Sequence, residues 1–199
     1  MPNKKITIIG AGFVGMSLAV LLSKTNYVNI LEIDESKVNK INARKSTIDD
    51  FGIIEALKNK NIQISATTKP EEALVNSNFV IIATPTSFDE SSNVFDTSSV
   101  EDSIQASLQL SDPKSLIVIK STVPIGFTES QSLKYNTERI IFSPEFLREG
   151  MALHDNLHPS RLIIGGKKNQ ANILFSQIMI DAAIKKEFKS ALIPIFITL

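Results

Sequence analysis

Residues 6–15 read ITIIGAGFVG, four residues of strand character that run without a break into glycines at 10, 12 and 15. The spacing is G-x-G-x-x-G. The next stretch, 14–24, is apolar at nearly every position, as a helix packed on a sheet is. Strand, glycine turn and helix form the opening unit of a doubly wound α/β sheet. In that unit Gly10 allows the tight turn, Gly12 lets the backbone approach a pyrophosphate, and Gly15 lets helix and strand pack closely. The helix start then offers free N–H groups to phosphate. Glycines in a βα turn also occur for purely structural reasons, so the motif needs its surroundings.

Those surroundings alternate. Strand character recurs at 28–32 (VNILE), 62–65 (IQIS), 79–83 (FVIIA), 116–120 (LIVIK), 139–142 (RIIF) and 161–165 (RLIIG). Amphipathic helical stretches fall at 36–43, 53–57 and 98–110, the last with Val100, Ile104 and Leu108 four apart. Alternation of this kind predicts an α/β, Rossmann-type, doubly wound and mostly parallel sheet, with residues 1–199 as one domain. Ligands of such sheets lie beyond the carboxyl ends of the strands.

The second strand ends at Glu32, 22 residues after Gly10. An acid there hydrogen-bonds a ribose 2′-hydroxyl and repels a 2′-phosphate, which favours NAD over NADP. Lys37 is placed to lie over the adenosine end. The plainer readings are a solvated strand terminus and a solvated helix face.

Three more strand ends carry small hydroxyls or acids beside a proline: Thr84-Pro85-Thr86, Ser121-Thr122-Val123-Pro124 and Ser143-Pro144-Glu145. Singly, each is explained by turn hydrogen bonding. Together on one sheet edge, they outline a cleft. The last opens FSPEFLREG, residues 142–150. With Pro144 at an early helical position, the pattern predicts a helix that carries Glu145 and Glu149 on one face. Two readings stand for these acids: a general base beside cofactor and substrate, or a surface helix whose acids complement the dipole.

Composition narrows the rest. Lys plus Arg and Asp plus Glu each number 21, so no basic face for nucleic acid is implied. There is no cysteine, which excludes disulfides, thiolate-bound zinc and a thiol nucleophile within these residues; with two histidines, no metal site is expected either. Lys4 and Lys5 before the uncharged stretch 6–22 imitate a signal peptide. However, 17 residues with three glycines are marginal for a span, no small-x-small cleavage site follows, and the glycine motif accounts for the stretch.

GAGFVG, Glu32 with Lys37, ATPT (83–86), KSTVPIGFT (120–128), FSPEFLREG and ALHDNLHPSR (152–161), in this order, resemble the nucleotide-sugar dehydrogenases, in particular those acting on UDP-glucose. The resemblance runs from about Lys5 to Gly166. It implies NAD-dependent oxidation of a sugar CH₂OH to a carboxylate, UDP-glucose to UDP-glucuronate, with two NAD consumed. Beside the motif glycines Gly10, Gly12 and Gly15, it assigns NAD contacts to Val14, Glu32, Lys37, Thr86 and Thr122, with Glu149 approaching the nicotinamide end. It assigns the sugar–nucleotide pocket to Glu145, Phe146, Leu147, Arg148 and Glu149, with Phe146 and Leu147 packing on substrate. Thr122 and Glu149 would position the hydrolytic water, with Glu149 as base. Glutamate stands at position 32 where aspartate is commoner, and Ser143 stands where asparagine is frequent.

The resemblance also implies parts not seen in these residues: a central helix with a lysine and an asparagine, a catalytic cysteine, and a second nucleotide-binding domain. On that basis the chain reads as truncated before the central helix, with ALIPIFITL (191–199) as a last strand. It would supply the NAD site and part of the sugar pocket and be inactive alone. The family's cytoplasmic, homodimeric habit is the expectation for a whole protein, with no nucleic acid or membrane partner. A non-catalytic NAD-binding or interaction module is the alternative. Another Rossmann dehydrogenase, for a hydroxy acid or acyl thioester, explains GAGFVG but not FSPEFLREG.

Overall fold

The computed structural model describes residues 3–89, 94–166, 169–184 and 189–193. The opening unit forms as read, with β1 at Lys5–Ile9, the glycine turn, and α1 at Phe13–Leu22. There follow β2 (Tyr27–Leu31), α2 (Glu35–Asn42), α3 (Phe51–Leu57), β3 (Ile64–Thr67), α4 (Pro70–Leu74) and β4 (Phe79–Ile82). A small antiparallel hairpin, β5 (Ser87–Asp89) with β6 (Val94–Asp96), precedes α5 (Ser98–Leu110) and β7 (Leu116–Ile119). Then come α6 (Phe127–Lys134), β8 (Ile140–Phe142), α7 (Ala152–Leu157), β9 (Arg161–Gly165), α8 (Gln170–Ala182) and β10 (Lys189–Ile193).

Six strands make one parallel sheet in the order β3-β2-β1-β4-β7-β8. The chain winds outward from β1 in one direction, then restarts at β4 in the other. The crevice between the two halves lies at the carboxyl ends of β1 and β4. Both faces are covered, which is why the strands read as unbroken apolar runs. In β4, Phe79 and Ile81 join one core with α1 residues such as Leu18 and with Phe175 of α8. Val80 and Ile82 join the other with Leu74 of α4 and with Val100 and Ile104 of α5.

Two local expectations shift. The third strand runs over 64–67 rather than 62–65. Pairing with β2 begins at Ile64, and the Asn42 side chain bonds both the N–H and the C=O of Ala66, each at 2.9 Å, in place of a further strand. The hairpin β5–β6 was not foreseen; its runs are three residues each, too short to show a period.

The larger correction concerns residues 143–150. No helix begins at Pro144; the segment is irregular and α7 starts only at Ala152. Its amide donors go to side chains instead of to a helical ladder. Phe146 N donates to Glu145 Oε1 at 2.9 Å, and Arg148 N donates to Asp155 Oδ2 at 2.9 Å. Gly150 then takes a left-handed φ of +77°. A local i, i+4 pattern lost to a partner seven residues downstream.

Of the last strand expected over 191–199, residues 194–199 lie outside the described residues. Residues 189–193 form β10, parallel to β9. Among the described residues, no helix is long and apolar enough to cross a membrane. No group of three acidic or histidine side chains there could hold a metal ion.

Candidate functional site

The glycine turn is fixed by space as well as by dihedral angle. Gly10 has φ +100°, and a Cβ there would stand 2.6 Å from Ala83 O at the end of β4. A Cβ on Gly15 would stand 1.9 Å from Gly10 O. At Gly12 a Cβ would meet nothing within 4 Å, so that backbone faces open space. It lines a cleft of about 1110 Å³ over the switch point of the sheet.

Glu32, at the end of β2, is 7% exposed. Its Oε2 accepts the Ala11 N–H at 2.9 Å and its Oε1 accepts the Asp34 N–H at 3.1 Å. The acid therefore braces the glycine loop while it borders the cleft. Lys37 Nζ lies 3.9 Å from Oε2. The carbonyl of the same Ala11 accepts from Thr47 Oγ1 at 2.7 Å. Thr47 belongs to the α2–α3 loop, and sequence reading passed over it.

The other strand ends are tied together beneath the cleft. Ser121 Oγ donates to Thr84 O at 2.7 Å, and Ser99 Oγ of α5 donates to Pro85 O at 2.8 Å. These bonds set the loops from which Thr86 and Thr122 border the cleft.

Gly10, Gly12, Val14, Glu32, Lys37, Thr86, Thr122, Glu145, Leu147 and Glu149 all line this one space. Three of the binding residues that the resemblance implies do not. Gly15 is buried under the turn. Phe146 stacks against Arg161, whose guanidinium carbon is 4.5 Å from the ring centroid. Arg148 turns away to Asp155, with Nη2 to Oδ1 at 2.7 Å and Nε to Oδ2 at 3.1 Å. In this non-helical segment the sides alternate, so that 145, 147 and 149 border the cleft while 146 and 148 do not, and the two acids share the cleft without a helix.

Lys120, which sequence reading did not single out, also borders the cleft. It ends the β7 run, its side chain is 2% exposed, and its Nζ lies 3.5 Å from Glu145 Oε2. Burial pushes the lysine pKa down, and the Glu145 carboxylate works against that. The only sequence signal was a lysine closing an otherwise apolar strand.

A parallel sheet with a glycine turn at its switch point, an acid at the end of β2 and hydroxyls on the adjoining strand ends defines a Rossmann-type dinucleotide-binding domain. An open cradle at Gly12 and a carboxylate at the ribose position fit NAD. Comparison with known proteins agrees. The UDP-glucose/GDP-mannose dehydrogenase family, NAD binding domain, matches residues 4–182, and the chain belongs to this family of oxidoreductases. It is 44% identical over 188 residues to the UDP-glucose 6-dehydrogenase of Streptococcus pneumoniae, covering 92% of this chain and 48% of that protein. It is 48% identical over 166 residues to that of Campylobacter jejuni, covering 82% and 42%. A UDP-glucose dehydrogenase structure from Pyrobaculum islandicum superposes with a TM-score of 0.83 at 26% identity, over 96% of this chain and 46% of that one. The chain thus spans about half the length of the curated relatives it matches.

Proposed function

We propose that this chain supplies the NAD site and one wall of the sugar pocket for the oxidation of UDP-glucose to UDP-glucuronate. The observation that carries the reading is the continuity of one cleft from Glu32 past Gly12, Thr86 and Thr122 to Glu145 and Glu149. NAD, when bound, supplies the hydride acceptor. Gly12 and the start of α1 would receive the pyrophosphate, Glu32 the adenosine ribose, and Thr86 and Thr122 the nicotinamide half. Glu145 and Leu147 would face the sugar. Thr122 and Glu149 would hold the hydrolytic water, and Glu149, exposed on the cleft, would take its proton.

The family resemblance assigns the covalent step to a cysteine, and these 199 residues hold none. We therefore expect no product from this chain alone. The test is absorbance of NADH after mixing the chain with NAD and UDP-glucose, run beside calorimetric NAD binding. Binding without NADH supports the reading; steady NADH production shows that the reaction proceeds without the cysteine. No binding by folded protein removes the cofactor assignment. The same absence of cysteine favours a second reading, a non-catalytic NAD-binding module with a separate partner chain. Recovery of activity on adding a cysteine-bearing chain separates the two.

A further inference from the structure

We propose that Lys120 is a positioning residue for Glu145, its buried ammonium holding the carboxylate at the inner wall of the cleft. The proposal rests on the reading of Glu145 as part of the sugar pocket. Residues 143–149 have no regular structure to orient Glu145. What holds the segment is a set of individual contacts. Ser143 Oγ donates to Ile163 O at 2.8 Å, Arg148 is clamped to Asp155, and Lys120 Nζ approaches Glu145 Oε2 to 3.5 Å within the wall of the same cleft.

Among the described residues, Glu145 is the one carboxylate within ion-pair distance of Lys120 Nζ. The other charged groups nearby are engaged elsewhere. Asp155 and Arg161 border the same small inner cavity, of about 30 Å³, behind the pair. Asp155 is taken by Arg148, and Arg161 lies over Phe146. Glu149 stands on the cleft side, exposed. A lysine needed only to fill space would be served by methionine, without the cost of dehydrating an ammonium. Burial pushes the Lys120 pKa down and the Glu145 carboxylate opposes that push, as the 3.5 Å approach of the two groups requires.

The test is titration of the Lys120 amine by nitrogen-detected NMR in this chain and in Glu145→Gln. The expected result is a proton affinity at least about tenfold lower in the variant. An unchanged midpoint overturns the proposal. Thermal unfolding of Lys120→Met and of Lys120→Met/Glu145→Gln gives a second reading. Losing the lysine alone leaves a carboxylate without its counter-charge, so the double variant should regain at least half of the lost Tm. If the single variant does not fold, a double variant that folds meets the expectation, and one that does not overturns it. NAD binding by the unsubstituted chain is measured in the same series. Its failure would remove the cofactor reading without touching the coupling between Lys120 and Glu145.

Discussion

Arg148 grips Asp155 through three donors, its own amide and two guanidinium nitrogens, across seven residues of chain. This contact selects an irregular path for 143–150 where the sequence pattern suggested a helix. It also leaves Glu145 and Glu149 on the cleft while Phe146 and Arg148 face away from it.

The clamp should show in the pH dependence of stability. The Asp155 carboxyl is held well below the usual carboxylate range, first by the hydrogen bonds from the Arg148 side chain. A carboxylate whose pKa falls on folding adds stability above its unfolded value, about 4, and that stability is lost as pH drops below it. Asp155→Asn should therefore lower Tm by roughly 3 °C at pH 7. The gap from wild type should begin to narrow at about pH 4 and go on narrowing as the pH falls further. Calorimetric scans at both pH values check this.

Gly12 and Gly15 should separate binding from folding. Gly12→Ala puts a methyl into open space, so the chain should fold with Tm within about 3 °C of wild type. NAD affinity should fall at least tenfold or so, because the methyl occupies the cradle where the pyrophosphate approaches. Gly15→Ala drives a methyl into Gly10 O at 1.9 Å and should cost at least about 3 kcal/mol or prevent folding. Thermal unfolding and titration calorimetry on the two variants decide it.

Glu32 should set cofactor choice. The wild-type chain should bind NAD more tightly than NADP, since the carboxylate repels a 2′-phosphate. Glu32→Gln keeps an oxygen for the Ala11 N–H but removes the charge. The preference should narrow by about tenfold, roughly 1.4 kcal/mol. Parallel titrations with both cofactors measure it; equal preference in the two proteins would remove Glu32 from the role.

Thr47 should matter although no motif marks it. Ala11 is 1% exposed, and its carbonyl accepts from the Thr47 hydroxyl. Thr47→Val leaves that carbonyl without a donor and should cost about 1–3 kcal/mol in urea unfolding. Thr47→Ser keeps the hydroxyl and should recover most of the loss.

By itself, the sequence determined the parallel sheet, the glycine turn, the acid at the end of β2 and the family resemblance. Each is written in neighbouring residues: strands buried on both faces are apolar throughout, and the turn needs glycine at fixed offsets. Tertiary structure alone decided the path of 143–150, the burial of Lys120 and the bracing of Ala11 by Glu32 and Thr47. Lys120 meets Glu145 across 25 positions, Thr47 meets Ala11 across 36, and Asp155 outcompetes a local helix for the Arg148 amide. Local periodicity carries no record of such partners. They exist only once the strands have set the loops side by side at one edge of the sheet.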